Sequence, residues 1–213
     1  MGTTVIIRKL NIRGFTIIEL LISMTVFSVM LLLVSGVIVQ LSRQFYKGLV
    51  QSRTQEVARN IGEELAKNIQ FSSTPPIELV AGNPGAICIA DRRYSFTKNQ
   101  QLGSGPSQTP RVLTRGVDCS IAPPLPTDVE LIGERMRLAK LTLSPDASGK
   151  VWRVEVRVVL GENDLVCSPS QAGDCDSNSV SGFLTAEDLS CKSKTGSQFC
   201  AVAEYSMTVV RQL

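Results

Sequence analysis

Four sets of residues have side-chain types and spacing suited to a chemical task. Ser95 precedes Lys98 by three positions, and Lys194, Thr195 and Gly196 follow later in the chain. On a helix, that first spacing places an amine one turn beyond a hydroxyl, where it assists deprotonation of an acyl-transfer nucleophile. Asp174, Asp176 and Asn178 alternate within GDCDSN, as oxygen ligands do at the opening of a calcium loop. Six cysteines (Cys88, Cys119, Cys167, Cys175, Cys191 and Cys200) all lie beyond residue 72. The fourth candidate is one carboxylate, Glu19, at the start of the apolar stretch RGFTIIELLISMTVFSVMLLLV. An ionised group at a bilayer centre costs about 2.5–3.5 kcal/mol even on lenient insertion scales, so Glu19 is either tolerated near the membrane edge or put to use.

The first two sets lack what their chemistry needs. RRYSFTK reads as extended chain rather than a helix start, and no Ser-Asp-Asn box follows it. Position 179 is Ser where a calcium loop needs Gly, and position 185 is Thr where it needs Glu, so the stretch reads as a solvated turn. Histidine is absent, which removes His-based triads and His metal sites. The chain is therefore expected to be no enzyme and to need no cofactor or metal.

The cysteines have an even count, one region and no Cys-x-x-Cys pair. They suggest disulfides formed in an oxidising compartment rather than a zinc site. Spacing favours Cys88–Cys119, Cys167–Cys175 and Cys191–Cys200 among the 15 pairings that six cysteines allow.

Arg8, Lys9 and Arg13 carry the whole formal excess of +3, and no acid precedes Phe15. The remainder of the 213 residues is formally neutral, so composition gives nucleic-acid binding no support. Arg92 and Arg93 beside Tyr94 and Phe96 are a local grouping of a type that touches DNA, but with the remainder of the chain neutral a solvated face is the expected reading.

The elements that must position these groups begin with a membrane segment. Between Glu19 and Arg43 lie 23 uncharged residues, enough to cross the hydrocarbon core as a helix. The run is too long for a secretory signal, and no convincing small-residue cleavage site follows. The basic residues before it place the amino terminus in the cytoplasm and everything past residue 45 or so outside. Beyond the membrane, Leu41, Phe45, Leu49, Val57, Ile61, Leu65 and Ile69 continue a helical apolar pattern in steps of four. Such steps overshoot a turn by about 40°, so the stripe winds round the helix. A winding stripe faces its own domain over part of its length and leaves the rest for other subunits; ordinary core packing on a curved helix explains it equally well. Gly36, Gly48 and Gly62 interrupt the helix, and Pro75-Pro76 ends it.

From residue 77 the pattern changes to short strands. AICIADRRYSFTK reads as a strand pair or an extended segment, and the Pro- and Gly-rich stretches 103–110 and 122–127 as loops. A hairpin around SPDASGK sets Ala139, Leu141 and Leu143 against Trp152, Val154, Val156 and Val158. Ala203, Tyr205, Met207 and Val209 mark a last strand, and a polar excursion over about 161–200 holds four of the cysteines.

RGFTIIELL, with its short basic leader and unbroken apolar run, resembles the processing signal of type IV pilins and the related pseudopilins. The resemblance covers roughly residues 8–45. It implies a cut between Gly14 and Phe15 by prepilin peptidase, N-methylation of Phe15, and Glu19 at the family's acidic assembly position. The implied fold is α+β and pilin-like: a long N-terminal helix, half transmembrane and half amphipathic, packed on a C-terminal antiparallel β-sheet domain. Residues 1–14 are then a cleaved cytoplasmic leader and 15–72 the helix, with its transmembrane part about 15–42. Residues 73–213 form the extracytoplasmic β-rich domain. The implied role is a minor pilin of a type IV pilus (a fimbrial filament). Alternatives are a minor pseudopilin of a type II secretion system, or a filament-displayed adhesin or DNA-binding competence pilin. The implied partners are prepilin peptidase, other pilin or pseudopilin subunits, the inner-membrane assembly platform, and membrane lipid before assembly. The implied location is the bacterial cytoplasmic membrane as a single-pass protein, then an extracellular pilus or a periplasmic pseudopilus.

Overall fold

The computed structural model describes residues 15–102, 111–119, 127–167, 189–192 and 196–212. The chain divides into two units between Arg43 and Gln44. One helix, α1 (Ile17–Gln70), runs unbroken through both, Gly36 included.

In the first unit every described residue is exposed. An 18-residue window of the helix reaches a mean hydropathy of 2.5. Its few hydroxyls are turned inward on the backbone. Thr25 donates to the Ile22 carbonyl at 2.8 Å, Ser28 to Met24 at 2.8 Å, Ser35 to Leu32 at 2.9 Å and Ser42 to Ile38 at 2.9 Å. Each bond satisfies the hydroxyl within the helix, so the outer surface is apolar almost throughout. Such a surface suits lipid, where no water is available to satisfy polar groups.

The second unit lays the outer part of α1 against antiparallel sheets. Thr54, Ala58, Ile61, Gly62, Leu65, Ala66 and Ile69 are its buried residues, at steps of three and four. The four-step stripe is therefore split. Ile61, Leu65 and Ile69 reach the core, while Leu41, Phe45 and Leu49 stay exposed. Gly62 has a packing role here, because a Cβ at that position would overlap the Tyr205 ring. Close approach of helix and sheet thus offsets the cost of about 1 kcal/mol that Gly carries in a helix.

Five strands form the first sheet in sequential order: β1 (Ile77–Val80), β2 (Gly85–Ile89), β3 (Arg92–Phe96), β4 (Leu113–Arg115) and β5 (Val129–Glu130). The second sheet has β6 (Met136–Pro145) and β10 (Ala201–Val210) on either side of β7 (Val151–Leu160). Bridges from Lys98 to Leu138 and from Gln101 to Arg137 join the sheets. A small ladder of β8 (Val166–Cys167) and β9 (Ser190–Cys191) completes the topology.

Trp152, Val154, Val156 and Val158 face the main core with Leu141 and the helix residues, following the alternation in the sequence. Ala139 does not. The β6–β7 register shifts between Leu138 and Lys140, and Ala139 packs instead with Val159, Val166, Leu189 and Cys200 in a second cluster. A bulge of one residue changes which face the following side chains occupy.

Candidate functional site at the amino-terminal helix

The chemistry-bearing end of α1 is built around Thr16. Its backbone is the last non-helical residue before Ile17, and its Oγ1 accepts a hydrogen bond from the Glu19 amide at 3.3 Å. The Thr16 carbonyl accepts from the amides of Glu19 at 3.1 Å and Leu20 at 3.2 Å. Thr16 therefore satisfies amides that a helix start leaves without intrahelical partners. Thr followed three residues later by Glu, ahead of an apolar run, is the sequence signature of a capping box. That signal was present in the sequence and identifies Thr16 as a positioning residue that the apolar pattern did not reveal.

Glu19 consequently stands three residues past the cap, exposed, at the positive end of the helix dipole. Its carbonyl accepts a hydrogen bond from the Ser23 hydroxyl. Phe15 precedes the cap and is 74% exposed. Residues four apart on a helix share a face, so a group at position 15 and one at 19 are neighbours if the first turn extends to include both. Gly14 lies outside the described residues.

The other candidates are not brought to this end. Ser95 is buried in β3, opposite Ala86 and Thr114. An extended strand sends positions three apart to opposite faces, so Ser95 and Lys98 lack the one-turn geometry of acyl transfer. Lys194, Asp174, Asp176 and Asn178 lie outside the described residues. Among the described residues, no cluster of three or more His, Cys, Asp or Glu is placed to hold a metal ion.

The solvated face expected of Arg92, Arg93, Tyr94 and Phe96 is overturned, and the DNA-contact alternative with it. Tyr94 and Phe96 belong to the core, and Arg93 is buried against Asp128 with its Nη2 2.9 Å from Oδ2. Of the four, only Arg92 is exposed. Alternation along β3 did not reveal this because both faces of that strand are covered: all its residues but the first are buried.

The cysteines are joined as Cys88–Cys119 and Cys191–Cys200, and Cys167 is also disulfide-bonded. Cys175, and with it the expected Cys167–Cys175 pair, lies outside the described residues.

No curated protein and no solved structure matches the chain. Residues 9–35 do match a family model, that of the prokaryotic N-terminal methylation motif. The matched segment takes in the basic residues Lys9 and Arg13, then Gly14, Phe15, the Thr16 cap and Glu19. The chain thus carries the amino-terminal signal of type IV pilins and pseudopilins, at the head of an α+β, pilin-like fold.

Proposed function

We propose that the protein is a non-enzymatic structural subunit, a minor pilin of a type IV pilus. In this reading prepilin peptidase cuts between Gly14 and Phe15, Phe15 is N-methylated, and subunits assemble through α1. One observation carries it: the methylation motif heads a helix whose first unit is wholly exposed and whose only charge from Phe15 to Ser42 is Glu19.

The physical logic follows from what lipid and filament have in common. Lipid tails are as apolar as Leu, so moving the helix from bilayer to filament changes its hydrophobic free energy little. The charged groups at the tip then have the greater influence on assembly. Cleavage gives Phe15 a cationic amine near Glu19. A lone charge of either sign is costly in an apolar bundle, while an amine–carboxylate pair from adjacent subunits satisfies both. Such a pair selects one axial register strongly even where its net stabilisation is small. The disulfides suit an outer domain on the oxidising side of the membrane.

Mass spectrometry of the protein recovered from sheared surface filaments tests the reading. The expected product begins at N-methylated Phe15 and co-purifies with other pilin subunits. A chain that still begins upstream of Phe15, or is never found in a filament, overturns it. Recovery from a secretion pseudopilus instead moves the subunit to the sister assembly.

A further inference from the structure

Beyond the apolar run, the second unit exposes an aromatic pair formed from two distant parts of the chain. The Tyr46 ring lies 6.1 Å from Phe199 and 6.4 Å from Phe45. Tyr46 and Phe199 are each about half exposed. Beside them Leu49, Val50 and Leu165, with the charged Arg53, Glu134 and Glu162, line part of an open groove of about 500 Å³.

Phe199 is not on a loose loop. It ends a short 3₁₀ turn (Ser197–Phe199) that starts from Gly196 at φ 98°. A Cβ on Gly196 would come within 2.9 Å of Leu165, so the turn is set close against its neighbour. Cys200 follows directly, is buried, and is tied to Cys191. A ring held outward by a covalently pinned turn keeps its exposure in water, where apolar area is unfavourable.

What covers this ring is indicated by its position along the chain. The uncharged run after Glu19 ends at Arg43, so the helix leaves the hydrocarbon there. Tyr46 follows three residues later, about 4.5 Å at 1.5 Å per residue. That falls within the headgroup layer, which adds roughly 5–8 Å on each side of the hydrocarbon core. Tyr and Trp concentrate in this layer, and the flanking cations Arg43 and Lys47 suit its phosphates. Phe199 shares the layer through its contact with Tyr46.

We propose that in the unassembled subunit Tyr46 and Phe199 form an aromatic anchor seated among the headgroups of the outer leaflet. Lipid, rather than a second copy, is the occupant because Tyr46 follows the end of the apolar run within one helical turn and stands between Arg43 and Lys47 in sequence. The inference rests on the membrane reading of α1 given above.

The test uses the full chain in vesicles of phosphatidylethanolamine and phosphatidylglycerol, with bromine atoms on the acyl chains close to the glycerol. Trp152, the single tryptophan, is buried in the core and provides the baseline emission. Phe199→Trp and Tyr46→Trp each add one reporter. Resistance of the protein to alkaline extraction is measured in parallel, and unchanged thermal unfolding confirms the fold of each variant. The expected result is that both added emissions are largely quenched by brominated lipid while that of Trp152 is not.

Extraction-resistant protein whose two reporters escape quenching overturns the anchor and leaves the membrane reading intact. Quenching at Tyr46→Trp alone also overturns it, since the β-domain then stands clear of the lipid. Shielding that appears only at high protein-to-lipid ratio assigns the patch to a second copy and overturns the lipid assignment. Failure of the chain to resist extraction removes the membrane reading and the anchor together.

Discussion

The Glu19 amide donates to the Thr16 side-chain oxygen at 3.3 Å, which fixes the one charge between Phe15 and Ser42 three residues past the helix cap. The same arrangement that starts the helix therefore sets the height of the carboxylate at its tip. If that carboxylate pairs with the amine of a neighbouring subunit, Glu19→Ala leaves maturation intact and impairs assembly. The amount in sheared filaments is expected to fall about tenfold or more, the effect of losing about 1.4 kcal/mol of assembly free energy. Immunoblots of filament and membrane fractions measure it. Wild-type filament levels would sink the pairing.

Gly14 is expected to be needed for its lack of a side chain at the cut. Gly14→Leu should leave the full-length precursor in the membrane, with no shift in gel mobility and no methylated Phe15. A mature product from this variant would remove the proposed processing site.

The elements of the chain differ in how plainly the sequence displays them. The apolar segment is legible because nothing but charge spacing and apolar length is required, and Glu19 and Arg43 bound it. The β6–β7 hairpin is legible because one face is wet, so Arg153, Glu155 and Arg157 alternate with buried residues. Ala139 was misplaced because a bulge alters the period by one residue without any residue type to announce it. Arg93 and Arg137 are buried, contrary to the usual placement of arginine, because tertiary partners accept their charge. Arg137 Nη2 donates to the Gly161 carbonyl at 3.1 Å and to Asn163 Oδ1 at 2.8 Å. Those partners are 24 and 26 positions away, beyond any local pattern.

The Arg93–Asp128 pair supplies a stability test. Both side chains are sealed from solvent, and a Cβ on Gly116 would come within 3.0 Å of Arg93 Nη2 and 3.2 Å of Asp128 Oδ1. Asp128→Ala strips a buried guanidinium of its counter-charge, at a cost of about 3–5 kcal/mol. Thermal unfolding of the full chain in detergent, followed by Trp152 emission, should show a lowered Tm. The double variant Arg93→Met with Asp128→Ala should recover much of the loss, since neither charge of the pair is then left behind without the other. Equal Tm values for the single variant and the wild type would show that the pair is not buried in solution.

The last prediction concerns Tyr94, which joins β3 to the helix. Its hydroxyl donates to Glu64 Oε1 at 3.1 Å and accepts from Asn68 Nδ2 at 2.6 Å, while Arg115 Nη1 lies 2.9 Å from the same Glu64 oxygen. Burial, reinforced by the adjacent Glu64 charge and hydrogen bond, raises the Tyr94 pKa above its ordinary value of 10.0. The native state then holds the phenolic proton more tightly than the unfolded chain does. The associated stability is complete below about pH 10 and is lost as pH climbs toward the raised folded value. Tyr94→Phe has no such proton. At about pH 8 it should be less stable than wild type by roughly 1 kcal/mol, the usual worth of the lost hydrogen bonding. Above about pH 10 the wild type should lose stability faster than the variant, and the gap should narrow. Urea unfolding across that range decides the matter: a gap that stays constant or widens with pH would mean that the Tyr94 phenol is not held protonated against Glu64.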